Sequence, residues 1–335
     1  MAKKSFRQAL NDALHSEMAR DPRVIMMGED LTGGAGANGV KDAWGGAFGV
    51  TRGLLDAYGP ERIRDTPISE AAFVGAAAGA ALTGLRPIAE LMFVDFAGVC
   101  LDQIMNQIAK FRYMFGGHAK TPLVIRATYG AGTRSAAQHT QAFYPIFTHI
   151  PGLKVVIPSN PYDAKGLLLQ AIRDDDPVIF LENKMLYDTT GEVPDGAYTI
   201  PFGEARVVRD GKDVLIVALG RMVGVAEAAA RTLAADGVSA CIIDPRTTSP
   251  LDEDTLIEYT EDIGRVVIVD EANPRCSVAT DISALLADKC FDSLKAPIRR
   301  VTAPHTPVPY APNLEDAYVP SPEAVVNAVK SILKR

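Results

Sequence analysis

The sequence predicts a two-domain α/β protein whose sheets are mainly parallel. Apolar, strand-like runs alternate with helical patterns along most of the chain, which is typical of parallel strands covered by helices on both faces. The chain has 335 residues, more than one hydrophobic core usually serves. A segment rich in Gly, Pro and Asp interrupts the alternation. We therefore expect a first domain over 1–190, a linker over 191–203 and a second domain over 204–335.

The first domain begins with an amphipathic helix that follows two N-terminal lysines. Strands and helices then alternate, and their composition and periodicity predict each element in turn. The expected strands are VIMMGED (24–30), RIRDTPI (62–68), PIAELMFVD (87–95), PLVIRATYG (122–130), LKVVIPS (153–159) and PVIFLEN (177–183). The expected helices cover 70–84, 101–111, 139–150 and 160–174, the last with Asn160 as N-cap and Pro161 at its first position.

The second domain repeats this alternation after the linker. Its expected strands are DVLIVALG (213–220), SACIIDPRT (239–247), RVVIVDEA (265–272) and APIRRVTAP (296–304). Its expected helices lie near 222–235, 252–262, 278–288 and 323–333.

Composition and charge exclude several classes of function. The chain is 47% hydrophobic and 22% charged, and it has no apolar run near the roughly 18 residues that a bilayer requires. The net charge of −7 argues against nucleic acid as a main partner. The 4 cysteines form no CxxC pair and read as reduced, buried thiols. The N-terminus has no apolar signal region, so we expect a cytoplasmic protein.

A glycine-rich loop follows the first strand and imitates a dinucleotide fingerprint. Gly34, Gly36 and Gly39 fit the spacing G-x-G-x-x-G. More glycines follow instead of a helix, so a pyrophosphate would have no helix N-terminus to bind. The loop therefore argues against a dinucleotide site.

Glu70 is the first candidate for chemistry. It stands at the start of the segment EAAFVGAAAGAALTG, where a carboxylate is also favoured by the helix dipole alone. This helix has no charged face, so we expect burial on most sides and close approach of a backbone or a flat ligand. A buried carboxylate in that place suits a group that shares a proton with a ligand nitrogen.

Two further segments carry polar groups that suit a site. His139 lies just past the end of a strand, where open α/β sheets bind ligands, although a local hydrogen bond would also explain it. In AIRDDDP, three aspartates follow a helix C-terminus, which normally favours cations. Either a bound metal or a solvated turn accounts for these aspartates.

The sequence resembles the β subunit of the thiamine-diphosphate-dependent first component of the 2-oxoacid dehydrogenase complexes. The resemblance runs through the whole chain, and its fold is a thiamine-binding pyrimidine domain followed by a transketolase C-terminal-like domain. The segments that carry it are MGED (27–30), TPISEAAFVGAAAGAALTGLRPIAELMFVDF (66–96), AAQHTQAF (136–143), PGLKVVIPSNPYDAKGLLLQAIRDDDPVIFLEN (151–183), DPRTTSPLD (244–252) and PYAPNLED (309–316).

The resemblance implies a role for each candidate residue. The glutamate that matches Glu70 hydrogen-bonds to N1′ of the cofactor's aminopyrimidine, and the residues that match Met92 and Phe96 pack near that ring. The residue that matches His139 serves proton transfer and acyl transfer to a lipoyl group. The family's monovalent cation, often potassium, would bind here to the carbonyls of Leu123, Ala171 and Asp176 and to Asp174.

The resemblance also implies partners. Thiamine enzymes hold the diphosphate through Mg²⁺ on a GDG motif, which this sequence lacks. We therefore expect an α subunit to hold Mg²⁺ and the diphosphate in an α2β2 heterotetramer. A lipoyl acyltransferase would bind to that assembly.

Within the family, the loop TGGAGANGVKDAWGGAFGVTRGL (32–54) is most similar to the acetoin dehydrogenase branch. The implied activity is the cleavage of acetoin with transfer of the acetyl unit to a lipoyl group. Two alternatives stay open: a pyruvate or branched-chain 2-oxoacid dehydrogenase β subunit, and a noncatalytic subunit that scaffolds an acyltransferase core.

Overall fold

The computed structural model describes residues 1–32 and 45–333. Over this range the chain forms two α/β units, each built on its own largely parallel sheet. The fingerprint glycines and most of the loop that resembles acetoin dehydrogenases lie outside the described residues.

The first unit is built on a sheet that has seven strands within the described range. Its central strands, such as Val24–Glu29, Val124–Tyr129 and Val178–Asn183, are almost entirely buried, as parallel strands covered on both faces must be. The strands of this part of the chain are β1 (Ala2–Ser5), β2 (Val24–Glu29), β3 (Ile63–Thr66), β4 (Arg86–Phe93), β5 (Val124–Tyr129), β6 (Lys154–Val156), β7 (Val178–Asn183) and β8 (Thr190–Val193).

The helices of the first unit cover the two faces of this sheet. Phe6, Leu10 and Leu14 of the first helix share one apolar core with Leu168 of the sixth, whereas Phe73 and Ala77 of the third belong to the core on the other face. The helices are α1 (Phe6–Arg20), α2 (Leu54–Tyr58), α3 (Glu70–Leu82), α4 (Phe111–Met114), α5 (Tyr144–His149) and α6 (Pro161–Arg173).

Local sequence explains where two of these helices begin. Ser5 and Gln8 form a reciprocal capping box at the start of α1. The Asn160 side chain accepts a hydrogen bond from the Asp163 backbone nitrogen, and Pro161 occupies the first turn of α6. The predicted start of α6 is therefore confirmed.

The segment predicted as a helix over 101–111 is helical over most of its length, but it is not a regular α-helix. The chain forms a 3₁₀ segment over Val94–Cys100 and a π-helical turn over Gln103–Ile108 before α4. Ile104 and Ile108 are buried in the core as a 3.6-residue period predicts, and Leu101 and Phe111 pack against that core. Met105, which the same period places on this face, is 37% exposed.

The helix predicted over 139–150 starts later than expected. α5 begins only at Tyr144, with a proline in its first turn. The residues before it form a 3₁₀ turn over Ala136–Gln138 and an irregular segment. His139 therefore lies in a loop and not in a helix.

The second unit contains a sheet that has five strands in the described residues. The strands of this half of the chain are β9 (Arg206–Arg209), β10 (Val214–Ala218), β11 (Ala240–Asp244), β12 (Thr247–Ser249), β13 (Val266–Asp270) and β14 (Arg299–Thr302). The helices are α7 (Met222–Ala235), α8 (Glu253–Ile263), α9 (Val278–Lys289), α10 (Pro312–Tyr318) and α11 (Pro322–Leu333). The order of the five-stranded sheet is β14-β13-β10-β11-β9. The sequence patterns located most of these elements but missed β9, β12 and α10, which are short or follow proline-rich segments.

Two strand pairings join distant parts of the chain. β8 pairs antiparallel with β1, so the first residues of the expected linker belong to a two-stranded ribbon. β12, from the second half of the chain, pairs antiparallel with β6 and extends the first sheet, whose order is β12-β6-β7-β5-β4-β2-β3. The two units are thus connected through backbone hydrogen bonds as well as through side chains.

Side chains also tie the second unit to the end of β5. The Tyr144 hydroxyl donates a hydrogen bond to Asp270, and Arg221 Nη1 lies 2.9 Å from the Ala131 carbonyl oxygen. In the described residues, no helix has the length and apolar character that crossing a membrane requires.

Candidate active site

The candidate residues Glu70, Met92, Phe96 and His139 lie at one edge of the seven-stranded sheet. This is the edge where β2, β3, β4, β5 and β7 end, and it is called the carboxyl edge below. Glu70 follows β3, Met92 lies near the end of β4, Phe96 follows β4, and His139 follows β5. Parallel α/β sheets form their ligand crevices at this edge.

Glu70 is the first residue of α3 and is buried. Ser69 precedes it as the N-cap residue, yet its side chain makes no capping hydrogen bond. Among the described residues, no group donates a hydrogen bond to the Glu70 carboxylate. The carboxylate thus has acceptor capacity for a ligand.

The negative charge of Glu70 contributes to the raised pKa values of two neighbouring groups, Glu29 and Cys100. Burial raises the pKa of Glu29, and the nearby charges of Asp30 and Glu70 add to that effect. Burial also raises the pKa of the Cys100 thiol to about 12, again with a contribution from Glu70. Cys100 is therefore a neutral thiol in the wall of the crevice, with no nucleophilic thiolate at ordinary pH.

α3 is buried on one face only, so the expectation that it is buried on most sides is wrong for the single chain. Phe73, Val74 and Ala77 lie in the core. The opposite face carries Ala76 and Gly79, which are exposed, and a Cβ added at Gly79 would meet no atom within 4 Å. This open face of small residues permits close approach of another backbone.

His139 is half-buried, and aromatic rings enclose its imidazole. The Phe93 ring lies edge-on with centroids 4.8 Å apart, and the Phe96 ring lies edge-on at 5.3 Å. Among the residues described, neither ring nitrogen of His139 has a hydrogen-bond partner. The imidazole is held by packing, and its neutral ring offers one donor and one acceptor nitrogen to a ligand.

Lys184 is a site residue that sequence reasoning missed. It follows β7, is buried, and donates a hydrogen bond from Nζ to the His139 carbonyl oxygen. Nζ also lies 5.1 Å from the centroid of the Phe93 ring. Burial lowers the pKa of Lys184 to about 8, against the opposite influence of Asp95, Glu271 and Glu315. The sequence could have indicated it, because a lysine directly after a buried strand is unusual.

Asp95 holds the other side of the same loop. Its Oδ1 accepts hydrogen bonds from the Gln141 backbone nitrogen at 3.2 Å and from Gln141 Nε2 at 2.8 Å. Its Oδ2 is buried without a hydrogen-bond partner in the part of the chain that the structure describes. Sequence reasoning also missed this residue.

The second unit fixes the start of the segment that carries His139. Glu271 accepts hydrogen bonds from the Ala131 backbone nitrogen at 2.7 Å and from Asn183 Nδ2 at 2.8 Å. Gly130 has φ +94°, and a Cβ there would lie 2.4 Å from Asn183 Nδ2 and 2.9 Å from Glu271 Oε1. Only glycine suits this position, because both the backbone conformation and the close contacts exclude a side chain.

Met92 is half-buried, and its carbonyl oxygen accepts a hydrogen bond from Thr128 Oγ1 at 2.6 Å. Beneath it lies a buried ion cluster in the middle of the sheet. Arg126 donates to both oxygens of Glu182, at 2.7 and 2.9 Å, and to Glu90 at 2.6 Å. This cluster is satisfied internally and supports the floor of the crevice.

The four predicted cation ligands lie at the opposite edge of the sheet. Leu123 precedes β5, and Asp174 and Asp176 lie between α6 and β7. Lys154 Nζ is 2.7 Å from each carboxylate oxygen of Asp174 and 3.5 Å from Asp176, which also pairs with Arg112. Within the described range, no three His, Cys, Asp or Glu side chains form a metal-binding group.

Basic side chains neutralise the aspartates at the C-terminal end of α6, where the helix dipole alone would disfavour negative charge. The third aspartate, Asp175, pairs with Arg86 at 3.1 Å and with Lys120 at 2.7 Å, and these partners hold its pKa below the ordinary value. The Leu123 and Ala171 carbonyls each accept a backbone hydrogen bond, from Val178 and Asp174. These contacts favour a paired, partly solvated turn.

Family models match both halves of the chain. Residues 2–190 match a model described as the transketolase pyrimidine binding domain. Residues 203–325 match a model described as the transketolase C-terminal domain. A solved structure, a split-gene transketolase described as an inactive β4 tetramer, superposes with a TM-score of 0.77 at 25% identity and covers 98% of each chain. These matches confirm the predicted fold class.

Curated relatives match the chain over nearly its whole length. The acetoin:2,6-dichlorophenolindophenol oxidoreductase β subunit of Cupriavidus necator is 63% identical over 100% of this chain and 99% of its own length. The Bacillus subtilis protein of the same name is 56% identical over 98% and 97%. The pyruvate dehydrogenase E1 component β subunit of Rickettsia felis is 45% identical over 98% of both chains.

Proposed function

Because the chain belongs to the family of β subunits of thiamine-diphosphate-dependent dehydrogenases, we propose that it is the β subunit of an enzyme that cleaves acetoin. The enzyme would pass the acetyl unit to a lipoyl acyltransferase. The two relatives with the highest identities reported above both carry acetoin in their names, whereas the pyruvate dehydrogenase subunit is more distant.

The observation that carries the proposal is the state of Glu70. Its carboxylate is buried at the carboxyl edge, and no described group donates a hydrogen bond to it. In the described residues, the Glu70 oxygens are not among the fully buried side-chain atoms that lack a partner, so a ligand can reach them and supply a donor. An aminopyrimidine nitrogen that shares a proton is a suitable ligand, so the residues of the crevice fit thiamine diphosphate.

When bound, thiamine diphosphate supplies the electron sink that stabilises the carbanion left by carbon–carbon cleavage. Glu70 would hold the proton that it shares with the aminopyrimidine. Phe96 and Met92 would limit the position of that ring and exclude water from it. His139, whose ring nitrogens have no partner in the described residues, would move a proton at the substrate oxygen or at the lipoyl sulfur.

The diphosphate half of the site is assigned to an α subunit that also holds Mg²⁺. The sequence has no GDG motif, so this chain offers half of a thiamine site. The exposed small-residue face of α3 can accept a closely packed partner. Three consecutive apolar side chains at the end of α4 are also exposed: Tyr113 at 89%, Met114 at 64% and Phe115 at 52%. Exposed apolar groups of this size suit an assembly such as α2β2.

The chain supports potassium binding only in part. The Leu123 and Ala171 carbonyls each already accept one backbone hydrogen bond, and the carboxylate of Asp174 is paired with Lys154. No reaction step is assigned to the ion. The unfolding temperature in potassium chloride, compared with choline chloride at equal ionic strength, decides between a bound potassium ion and Lys154 as the neutralising charge.

The proposal is tested on the native complex recovered through a tag on this chain. The complex should reduce 2,6-dichlorophenolindophenol with acetoin, dependent on thiamine diphosphate, and faster than with pyruvate or branched-chain 2-oxoacids. A preference for a 2-oxoacid would show that the chain is instead a pyruvate or branched-chain 2-oxoacid dehydrogenase β subunit. An α-containing complex without any cofactor-dependent activity would favour the scaffolding alternative. A cytoplasmic location is part of the proposal, and fractionation of cells that make the tagged chain tests it.

A further inference from the structure

We propose that Lys184 is a positioning residue for His139. Its ammonium and the Asp95 carboxylate hold the His139 turn, defined as residues His139–Gln141, by its backbone, so that the imidazole keeps a fixed direction in the crevice. This inference rests on the proposed function, since it assigns to Lys184 a part in the reaction that His139 serves.

The contacts of Lys184 are all directed at this turn and its aromatic wall. Nζ donates to the His139 carbonyl oxygen and lies 5.1 Å from the Phe93 ring centroid. The same Phe93 ring packs edge-on against the His139 imidazole at 4.8 Å. Lys184 therefore restrains the backbone of His139 and also the Phe93 ring, which packs against the His139 imidazole.

Asp95 restrains the other end of the turn. It accepts hydrogen bonds from both the backbone and the side chain of Gln141. Gln141 in turn accepts a backbone hydrogen bond from Gly130 at 3.3 Å, which closes the loop onto the end of β5. With both ends held, the His139 ring needs no hydrogen bond of its own to keep its direction.

A structural role alone does not explain Lys184. It is 7% exposed, and in the described residues its ammonium forms no ion pair within salt-bridge distance. A buried ammonium without a carboxylate partner is unfavourable, and an apolar residue of similar size would be tolerated better. The lowered pKa of Lys184 agrees with this unfavourable burial.

The ammonium holds the turn more firmly than the neutral amine. The protonated form makes a charge-assisted hydrogen bond and a cation–π contact, and both weaken when the proton leaves. The charged groups that face Lys184 are Asp95, Glu271 and Glu315, and all three favour the protonated form. We therefore expect the rate to fall as the pH rises through about 8, where Lys184 loses its proton.

The experiment compares Lys184→Met with the wild type in the recovered complex. The first readout is acetoin-dependent dye reduction across pH, separated into kcat and KM. The second is hydrogen–deuterium exchange of the peptides that cover 130–141, which requires no catalytic activity. The matched control is Lys165→Met, because Lys165 is also buried, also has a pKa lowered by burial, and donates to the Pro194 carbonyl oxygen at 2.7 Å.

For Lys184→Met we expect kcat to fall by about tenfold or more with little change in KM, and the alkaline limb near pH 8 to disappear. Exchange should accelerate over 130–141 and nowhere else. Lys165→Met should change neither readout in this region. Unchanged kcat together with unchanged exchange over 130–141 would overturn the proposal.

The two proposals fail in different ways. If Glu70→Gln keeps full activity, the proposed function fails while the exchange measurement still tests the contact between Lys184 and the His139 turn. If Lys184→Met does not fold, Lys184→Gln, which keeps a donor but no charge, is measured instead. The same fall in kcat and the same local exchange are then required, and their absence overturns the inference.

Discussion

The rings of Phe96 and His139 meet edge-on with centroids 5.3 Å apart. Phe96 lies in the 3₁₀ segment after β4, and His139 lies in the loop after β5. β4 and β5 are neighbouring parallel strands, so the ends of both strands deliver these two side chains to the same place. The contact joins two residues that the sequence indicated separately.

Phe96→Ala should reduce acetoin-dependent activity by about three- to tenfold, because edge-on aromatic pairs contribute about 0.5–1.5 kcal/mol beyond burial. The measurement is kcat of the recovered complex. Phe291→Ala is the control, because Phe291 is 73% exposed and lies in the second unit. An unchanged kcat for Phe96→Ala, or an equal loss for Phe291→Ala, would contradict the assigned packing role.

Glu315→Ala should loosen the attachment of the second unit to the segment before His139. Glu315 is fully buried and accepts hydrogen bonds from the Gly132 nitrogen at 2.7 Å and from Arg134 Nη1 at 2.8 Å. Loss of the carboxylate leaves these half-buried donors without an acceptor, which we expect to lower the free energy of unfolding by about 1–3 kcal/mol.

The matched control for Glu315 is Asp316→Ala. Asp316 also pairs with Arg134, at 2.7 Å, but is 67% exposed. An exposed pair of this kind contributes about 0–1 kcal/mol. Thermal unfolding of the two variant complexes should therefore separate clearly, and equal losses of unfolding temperature would contradict the account of the interface.

Lys184→Met should change the pH dependence of stability in a defined direction. The folded pKa of about 8 lies below the ordinary value of 10.5, so the unfolded chain binds this proton more tightly. The protonated lysine thus destabilises the folded chain by about 3 kcal/mol below pH 8, and this penalty is lost progressively as the pH rises toward 10.5.

Relative to the wild type, Lys184→Met should therefore be more stable at about pH 7 than at about pH 10. The measurement is the unfolding temperature of both complexes at the two pH values. A difference between variant and wild type that does not depend on pH would show that Lys184 titrates outside this range.

Much of the fold follows from local patterns. Runs such as VIMMGE, VLIVA and VVIVD are apolar over nearly their whole length, which is typical of strands buried on both faces, so β2, β10 and β13 could be predicted. The pairing of β1 with β8 and of β12 with β6 could not, because those strands are short and depend on partners far away in the sequence.

Some residues of the candidate site could be predicted from the sequence and others could not. Glu70 and His139 are recognisable because they stand at strand ends in unusual local sequences. Lys184 and Asp95 are not, because their importance comes from contacts across the fold, such as the hydrogen bond from Lys184 to the His139 carbonyl oxygen. The 3.6-residue pattern over 101–111 placed Ile104 and Ile108 in the core, but it could not show the π turn over Gln103–Ile108.

Whether this chain supplies the carboxylate of a thiamine site is best tested by the activity of Glu70→Gln in the recovered complex, with thiamine diphosphate and acetoin present. Glutamine keeps the size of the side chain but cannot hold the shared proton as a carboxylate does. We predict that the complex assembles normally and that kcat falls by about 10²–10⁴-fold, whereas Glu61→Gln, at a carboxylate that is 93% exposed, keeps the wild-type rate. A Glu70→Gln complex with wild-type kcat would contradict the claim that this chain supplies the carboxylate of a thiamine site.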